Sequence, residues 1–227
     1  MKVLVFGATG WVGSGVLSEC LEDPEVSSVL VVGRTPTGVV HAKLRELVRS
    51  DFFDYTDAKR DLTGYDACFF CLGVSAVGTT ERVYHHLTYD LTVAAARALG
   101  ELNPRLTFCY VSGEGTDSTG RSRFMWARVK GQTENALLGM SFQAFMFRPG
   151  YIQPLKGAGS SKTRLYRAIY AAVGRLYPLL SWLAPRHVTT TRNVARAMLQ
   201  VAARGYPKRI LENADINLLG SGAAHVV

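Results

Sequence analysis

The stretch "KVLVFGATGWVG", Lys2 to Gly13, decides the fold. Its first five residues form an apolar run of strand length, as expected for a strand buried on both faces of a sheet. Gly7, Gly10 and Gly13 then follow at G-x-x-G-x-x-G spacing and lead into a helix predicted over "WVGSGVLSECLED". A strand, a glycine-rich turn and a helix in this order are typical of a dinucleotide-binding site, where the backbone approaches a pyrophosphate at the helix N-terminus.

Apolar runs of strand length alternate with helical patterns across about the first 150 residues. This alternation predicts a parallel sheet with helices on both faces, and right-handed crossovers make it a doubly wound α/β sheet of the Rossmann type. Further strands are predicted at "SSVLVVG", "KLRELV" (which could also be a short helix), "YDACFFCLG", "RLTFCYVSG" and "SFQAFMFRPG". Two long helices are predicted at "TTERVYHHLTYDLTVAAARALGEL" and "RSRFMWARVKGQTENALLGM".

The pattern changes after Pro154. There "KGAGSSKT" is typical of a loop, "RLYRAIYAAVGRLYPLLSWL" and "TTTRNVARAMLQVAA" are typical of helices, and "RILENADINLL" can hold a final strand. Thr189 to Thr191 supply a cap for the second of these helices. We therefore predict a single domain over residues 1–227, with a core over residues 1–154 and a small, mainly helical substrate region over residues 155–227.

The composition is that of a globular protein: 48% of the 227 residues are hydrophobic and 19% are charged. The formal net charge is +8, a balance that nucleic-acid-binding proteins also show. The basic residues are spread along the chain, however, and no run reaches four. This distribution favours a mildly basic surface that attracts anionic small molecules, and no nucleic-acid partner is expected.

The four cysteines lie in apolar surroundings, which is typical of a reducing compartment. Cys68 and Cys71 have C-x-x-C spacing, but on a predicted strand they point to opposite faces, so no redox or metal site is expected. "MKVLVFGATG" has too short an apolar run for a signal peptide, and "LYPLLSWLAP" is too short to span a bilayer. We expect a cytoplasmic protein with no membrane partner.

The end of the second predicted strand, "VVGRTPTG", bears on which dinucleotide is bound. An acidic residue at this place would bond the ribose 2′-hydroxyl of NAD. No acid occurs from Val26 to Thr37, and Arg34 stands there instead. Because a guanidinium suits a 2′-phosphate, the sequence favours NADP(H) over NAD(H). The alternative is that Arg34 is an ordinary solvated side chain.

Other contacts to a dinucleotide are predicted from the glycine turn and from the ends of two strands. Asp51 and Phe52 follow the third predicted strand and could meet an adenine. "CLGVSA" ends the fourth strand where the middle of the cofactor would lie. Besides the glycines and Arg34, the predicted set is Thr9, Trp11, Val12, Asp51, Phe52, Leu72 and Gly73.

Five motifs occur in an order that resembles a known family: "GATGWVG", "CLG", the serine of "YVSGEG", the lysine of "WARVKG" and "FRPG". The chain resembles the atypical, extended-type short-chain dehydrogenase/reductase superfamily, of the NAD-dependent epimerase/dehydratase-like kind, over about residues 1–154. The resemblance implies a Rossmann sheet with a small C-terminal substrate region. It also implies hydride transfer that involves a carbonyl or a hydroxyl group.

The resemblance further implies roles for individual residues. In the family a serine after the fifth strand holds the substrate oxygen, and a tyrosine four residues before a lysine is the acid/base. That lysine lowers the tyrosine pKa and holds the nicotinamide ribose. Ser112 matches the serine and Lys130 the lysine, but Trp126 occupies the tyrosine position. Indole donates a hydrogen bond and does not release its proton near neutral pH, so Trp126 cannot do this work.

Two groups are predicted as stand-ins for the missing acid/base. Tyr151 follows "RPG" on the substrate side of the family layout, and Lys130 itself could act if burial lowers its pKa. The first hypothesis is therefore an NADP(H)-dependent oxidoreductase or epimerase-like enzyme that acts on a small carbonyl or hydroxyl compound. The alternative is a non-catalytic protein that senses NADP(H). In either case the chain is expected to be a monomer or a homodimer.

Overall fold

The computed structural model describes residues 1–153 and 184–222. Its main feature is a parallel sheet of seven strands in the order β3-β2-β1-β4-β5-β6-β9, and β7 and β8 form a separate parallel pair. The strands are β1 Lys2–Phe6, β2 Ser28–Gly33, β3 Leu44–Val48, β4 Ala67–Phe70, β5 Thr107–Val111, β6 Gln143–Arg148, β7 Tyr151–Gln153, β8 Val188–Thr190 and β9 Ile210–Glu212. The predicted doubly wound sheet is confirmed, and "KLRELV" forms a strand.

Seven α-helices lie between the strands or follow the last one: α1 Trp11–Glu22, α2 Lys59–Leu62, α3 Glu81–His85, α4 Leu91–Leu102, α5 Met125–Leu138, α6 Thr191–Arg204 and α7 Asn213–Gly220. This count covers only residues 1–153 and 184–222. Short 3₁₀ turns occur at Thr56–Ala58 and Pro185–His187. The single long helix predicted from Thr79 onward contains a π-helical segment, His86–Asp90, between α3 and α4. The apolar pattern does not reveal such a local change of helical pitch.

Two buried clusters cover the two faces of the sheet. Val5, Phe69 and Cys109 belong to the face on which α1 and α6 pack. The opposite face carries Cys68 and Tyr110, under α4 and α5. Side chains alternate between these clusters along each strand, which is why the strands appear as continuous apolar runs in the sequence. Cys71 packs against the first cluster and Cys68 belongs to the second, so the two thiols point to opposite faces as predicted.

The described part of the C-terminal region belongs to the Rossmann layers. The predicted final strand is β9, which pairs with β6, and α6 packs against α1. The side chain of Thr190 caps α6 by accepting a hydrogen bond from the N–H of Asn193 at 3.0 Å, as predicted for the threonine run. The Rossmann layers therefore extend beyond residue 154, where the core was expected to end.

Two predicted segments, "KGAGSSKT" and "RLYRAIYAAVGRLYPLLSWL", lie outside the described residues. No helix within residues 1–153 and 184–222 is long and apolar enough to cross a membrane.

Candidate active site

The glycine turn joins the carboxyl end of β1 to α1. Gly7 has a φ of +79°, and a Cβ on it would lie 2.7 Å from the backbone nitrogen of Leu72. A Cβ on Gly13 would lie 2.2 Å from the carbonyl oxygen of Gly7. Two of the three glycines are therefore required by the packing of the turn itself, with or without a ligand.

Gly10 differs from the other two glycines of the turn. It is exposed, and a Cβ on it would have one neighbour within 4 Å among the described residues, the Gly7 carbonyl oxygen at 3.2 Å. Gly10 is also the N-cap of α1, where none of the described side chains forms a cap. The turn thus presents a helix N-terminus and an open backbone to solvent, which fits a phosphate group.

The turn lies at the switch point of the sheet. β1 has β2 on one side and β4 on the other, so the order of the strands reverses there. The chain after β4 continues alongside β1, since the N–H of Cys71 donates to the carbonyl of Phe6 at 3.0 Å. Leu72 is half-buried and Gly73 is exposed, with no described atom within 4 Å of its Cβ position. Ligands of doubly wound sheets bind in this crevice. The backbone of Leu72 lies against Gly7 of the turn, and a contact of Leu72 and Gly73 with a dinucleotide stays a prediction.

The other predicted residues of the turn have different surroundings. Thr9 is exposed, whereas Trp11 and Val12 are half-buried at the start of α1. All three follow β1 in the chain and so lie at the carboxyl edge of the sheet.

Among the described residues, no group of three or more His, Cys, Asp or Glu side chains is placed to hold a metal ion.

Arg34 is exposed immediately after β2. Its neighbour across the strands is Arg49, whose N–H donates to the Gly33 carbonyl at 2.9 Å. The Arg49 guanidinium lies 4.6 Å from the centre of the Tyr55 ring and forms an ion pair with Asp57 at 3.1 Å. The sequence had not singled out Arg49, which adds a second cation near the end of β2.

Asp51 and Phe52 follow β3, where an adenine was expected. The Asp51 carboxylate accepts the N–H of Phe53 at 2.7 Å and so stabilises its own turn. The Phe52 ring is 5% exposed and packs edge-on against Phe6, with ring centres 6.5 Å apart. Because the loop turns inward, the Phe52 ring belongs to the core. Any contact of Phe52 with an adenine would come from its backbone.

Ser112 follows β5 and is buried. Its hydroxyl lies 2.6 Å from Oε1 of Glu134 and 3.1 Å from the carbonyl oxygen of Phe147, and both are acceptors. Glu134 is fully buried on α5 and forms an ion pair with Arg148, whose Nε donates to Oε1 at 3.0 Å. A serine has one hydroxyl hydrogen, so Ser112 can offer a ligand its oxygen as an acceptor but not its proton.

The α5 helix carries the motif "WARVKG". Trp126, Lys130 and Glu134 are spaced by four residues and share one face of the helix. The Lys130 ammonium donates to the carbonyl of Val111 at 3.2 Å and lies 5.6 Å from the centre of the Tyr110 ring. Burial lowers the pKa of Lys130 to about 8, although the nearby Glu134 carboxylate opposes the shift. This pKa is suited to proton transfer near neutral pH.

The Trp126 ring is half-buried against the loop that follows Ser112. A Cβ on Gly115 would lie 3.3 Å from Cη2 of this ring. The N–H of Glu114 in the same loop donates to the carbonyl of Pro149 at 2.9 Å. The loop after β5 therefore lies between α5 and the chain after β6.

Tyr151 opens β7 at the same edge of the sheet. It is half-buried, pairs in register with Val188, and its hydroxyl donates to Oε1 of Gln153 at 3.2 Å. Nearby, Nδ1 of His187 makes a short contact with Oε1 of Glu114. The sequence did not reveal this pair, since its members are 73 positions apart and the motif "YVSGEG" pointed to Ser112 and not to Glu114.

The fold is similar to that of solved structures of short-chain dehydrogenase/reductase proteins, in agreement with the predicted resemblance. The Bordetella bronchiseptica enzyme WbmF in complex with NAD⁺ is 18% identical over 100% of this chain and 79% of its own, with a TM-score of 0.65. A superfamily protein from Agrobacterium tumefaciens with bound NAD covers 99% of this chain and 82% of its own, at 16% identity and a TM-score of 0.63. Helicobacter pylori ADP-L-glycero-D-manno-heptose-6-epimerase covers 89% of this chain and 73% of its own, at 13% identity and a TM-score of 0.63.

Fungal proteins are similar in sequence, and no family model matches the chain. Protein fmp52, mitochondrial, of Aspergillus clavatus is 28% identical over 187 residues, 78% of this chain and 77% of that protein. Protein fmp52-2, mitochondrial, of Aspergillus oryzae is 27% identical over 226 residues, 95% of each. These names point to mitochondria, so the prediction of a cytoplasmic protein is wrong.

Proposed function

We propose that the protein binds NADP(H) at the switch point of its sheet and acts as an oxidoreductase or epimerase-like enzyme. Its substrate would be a small carbonyl or hydroxyl compound. The observation that carries this proposal is the open turn at Gly10, which exposes the N-terminus of α1 between β1 and β4. A bound nicotinamide cofactor supplies or accepts a hydride; the protein has to hold it and to manage a proton.

Three parts of the crevice suit three parts of the cofactor. The turn at Gly10 and the first N–H groups of α1 would hold the pyrophosphate. Arg34, exposed after β2, would pair with the 2′-phosphate, and Lys130 would hold the nicotinamide ribose. Two of the similar structures contain NAD, so the choice of NADP(H) rests on Arg34 and on the lack of an acid from Val26 to Thr37.

Ser112, Lys130 and Tyr151 are the residues proposed for the chemistry, with Trp126 in place of the family's tyrosine. Ser112 would accept a hydrogen bond from a substrate hydroxyl, since its own proton is directed to Glu134 or Phe147. Lys130 could exchange a proton because its pKa is lowered to about 8. Oligomeric state is part of the same proposal, and either a monomer or a homodimer fits it.

A second candidate is a protein that binds NADP(H) without turnover and reports the state of the cofactor to a partner. Two observations favour it. The hydroxyl proton of Ser112 is already held by protein acceptors, and the indole of Trp126 supplies no exchangeable acid. Both candidates need the same cofactor site, so they differ only in the chemistry after the cofactor has bound.

Calorimetric titration with NADPH and with NADH tests the cofactor site. We expect micromolar binding of NADPH and at least about tenfold weaker binding of NADH. Gly10→Ala should abolish binding, because its methyl group would project toward the phosphates. Gly139→Ala is the matched control, since its added Cβ would come no closer than 3.6 Å to any other described atom outside its chain neighbours. Equal affinity for the two cofactors would overturn the role of Arg34.

A panel of carbonyl compounds with NADPH separates the two candidates. The enzyme candidate predicts turnover that Lys130→Ala removes, and it predicts a gain in Trp126→Tyr. NADPH binding without turnover in either the native protein or Trp126→Tyr would leave the sensing candidate.

A further inference from the structure

We propose that His187, oriented by Glu114, is the proton donor and acceptor of this site. The proposal rests on the proposed NADP(H)-dependent function and names the group that replaces the family's tyrosine. Glu114 belongs to the motif "YVSGEG" but His187 belongs to none, and the two residues meet only in the folded chain.

The first argument is the position of Glu114. It comes two residues after Ser112, in a loop bound to the chain after β6. The N–H of Ser112 donates to Phe147 and that of Glu114 to Pro149, both at 2.9 Å. The next residue, Gly115, lies against the Trp126 ring. The Glu114 carboxylate is therefore at the carboxyl edge of β5 and β6, between Ser112 and Trp126 in the chain.

The second argument is how closely His187 approaches this edge. A Cβ on Gly150 would lie 2.2 Å from the His187 carbonyl oxygen and 2.7 Å from Oε2 of Glu114. Any side chain at position 150 would collide with both the His187 carbonyl oxygen and the Glu114 carboxylate, so this close approach requires a glycine there. His187 then leads into β8, which pairs with Tyr151 at the start of β7. The imidazole is thus held beside the two segments that also carry Ser112 and Tyr151.

The third argument is the chemistry of the pair. Nδ1 of His187 contacts Oε1 of Glu114, so a carboxylate orients the ring and leaves Nε2 on the far side. The His187 side chain is 65% exposed, so Nε2 is open to a ligand. The indole of Trp126 does not release its proton near neutral pH, and the hydroxyl proton of Ser112 is directed to Glu134 or Phe147. An imidazole is the side chain that most often serves as a general acid or base in enzymes.

The proton step can be written in both directions. In carbonyl reduction, the imidazolium of His187 gives its Nε2 proton to the substrate oxygen while the carbonyl carbon gains a hydride from NADPH, which leaves neutral imidazole, an alcohol and NADP⁺. In oxidation, neutral Nε2 takes the hydroxyl proton as the carbon loses its hydride to NADP⁺. Glu114 is a positioning residue, because its carboxylate contacts Nδ1 and fixes the orientation of the ring.

The test uses the whole chain and needs no known substrate. NMR titration follows the ring protons of His187, assigned with His187→Gln, in saturating NADP⁺ and in saturating NADPH. The two complexes differ by one positive charge on the nicotinamide. A ring within about 10 Å of that charge should titrate about half a pH unit lower with NADP⁺ than with NADPH. His41, in the loop between β2 and β3, is the internal control and should show no such difference.

Each outcome decides the matter. A difference at His187 but not at His41 supports the proposal. Binding of both cofactors with equal midpoints at His187 overturns it and leaves the NADP(H) site intact. Failure of either cofactor to bind overturns the proposed function, and the role of His187 falls with it. If the carbonyl panel shows turnover, His187→Gln should lower kcat by about 100-fold or more with KM little changed.

Discussion

On the β1 side of the crevice the site is made of backbone, whereas on the β5 side it is made of side chains. The glycine turn works because Gly7 and Gly13 leave no room for a Cβ and Gly10 leaves the helix N-terminus open. Beyond β5, a buried ion pair of Glu134 and Arg148 holds Ser112. The first half is therefore sensitive to one added carbon atom, and the second to one lost charge.

The largest effect is expected where the backbone is closest. In Gly13→Ala the new methyl group would lie 2.2 Å from the Gly7 oxygen, a contact that only movement of the turn can relieve. We expect the free energy of unfolding to fall by more than about 4 kcal/mol, measured by urea denaturation. Gly10→Ala is the matched variant and should cost less than about 1 kcal/mol while abolishing NADPH binding. Similar losses of stability in both variants would contradict the division of roles within the turn.

The same difference explains what the sequence could predict. Strands buried on both faces are continuous apolar runs, and glycines at fixed spacing mark a turn that excludes side chains, so the sheet and its switch point were predictable. Contacts between side chains that are far apart in the chain leave no local pattern in the sequence. Ser112 meets Glu134 across 22 residues and Glu114 meets His187 across 73, and nothing in the sequence pairs them. Resemblance identified Ser112 and Lys130 but not the groups that hold Ser112.

The next largest effect tests the side-chain half. Glu134→Gln removes the charge that pairs with Arg148 inside the protein. We expect the free energy of unfolding to fall by about 3 kcal/mol, since a guanidinium loses a buried partner. Glu212→Gln is the control: its carboxylate also pairs with Arg148, at 3.1 Å, but is 53% exposed, and it should cost less than about 1 kcal/mol. Equal effects of the two variants would show that the buried pair has no special role.

A smaller effect is expected at the adenosine end of the crevice. Arg34 is exposed, so Arg34→Ala should leave the free energy of unfolding almost unchanged. It should weaken NADPH binding about tenfold, or about 1.4 kcal/mol, and leave NADH binding as it was. Calorimetry with both cofactors measures this, and Arg60→Ala, another exposed arginine, is the control. Equal losses of affinity for NADPH and for NADH would indicate that Arg34 contacts a part that the two cofactors share.

The smallest effect is a dependence of stability on pH, confined to the side-chain half. The pKa of Lys130 is lowered by burial from 10.5 to about 8 in the folded protein. Below about pH 8 both the folded and the unfolded chain are protonated, and the folded state bears the full cost of burying the ammonium. Between that pH and 10.5 the folded state binds fewer protons, so this cost declines as the pH rises. Relative to Lys130→Met, which cannot titrate, the native protein should become more stable over this interval in urea denaturation. Lys59→Met, at an exposed position, is the control. If the native protein gains no stability relative to Lys130→Met as the pH rises, water reaches the Lys130 ammonium.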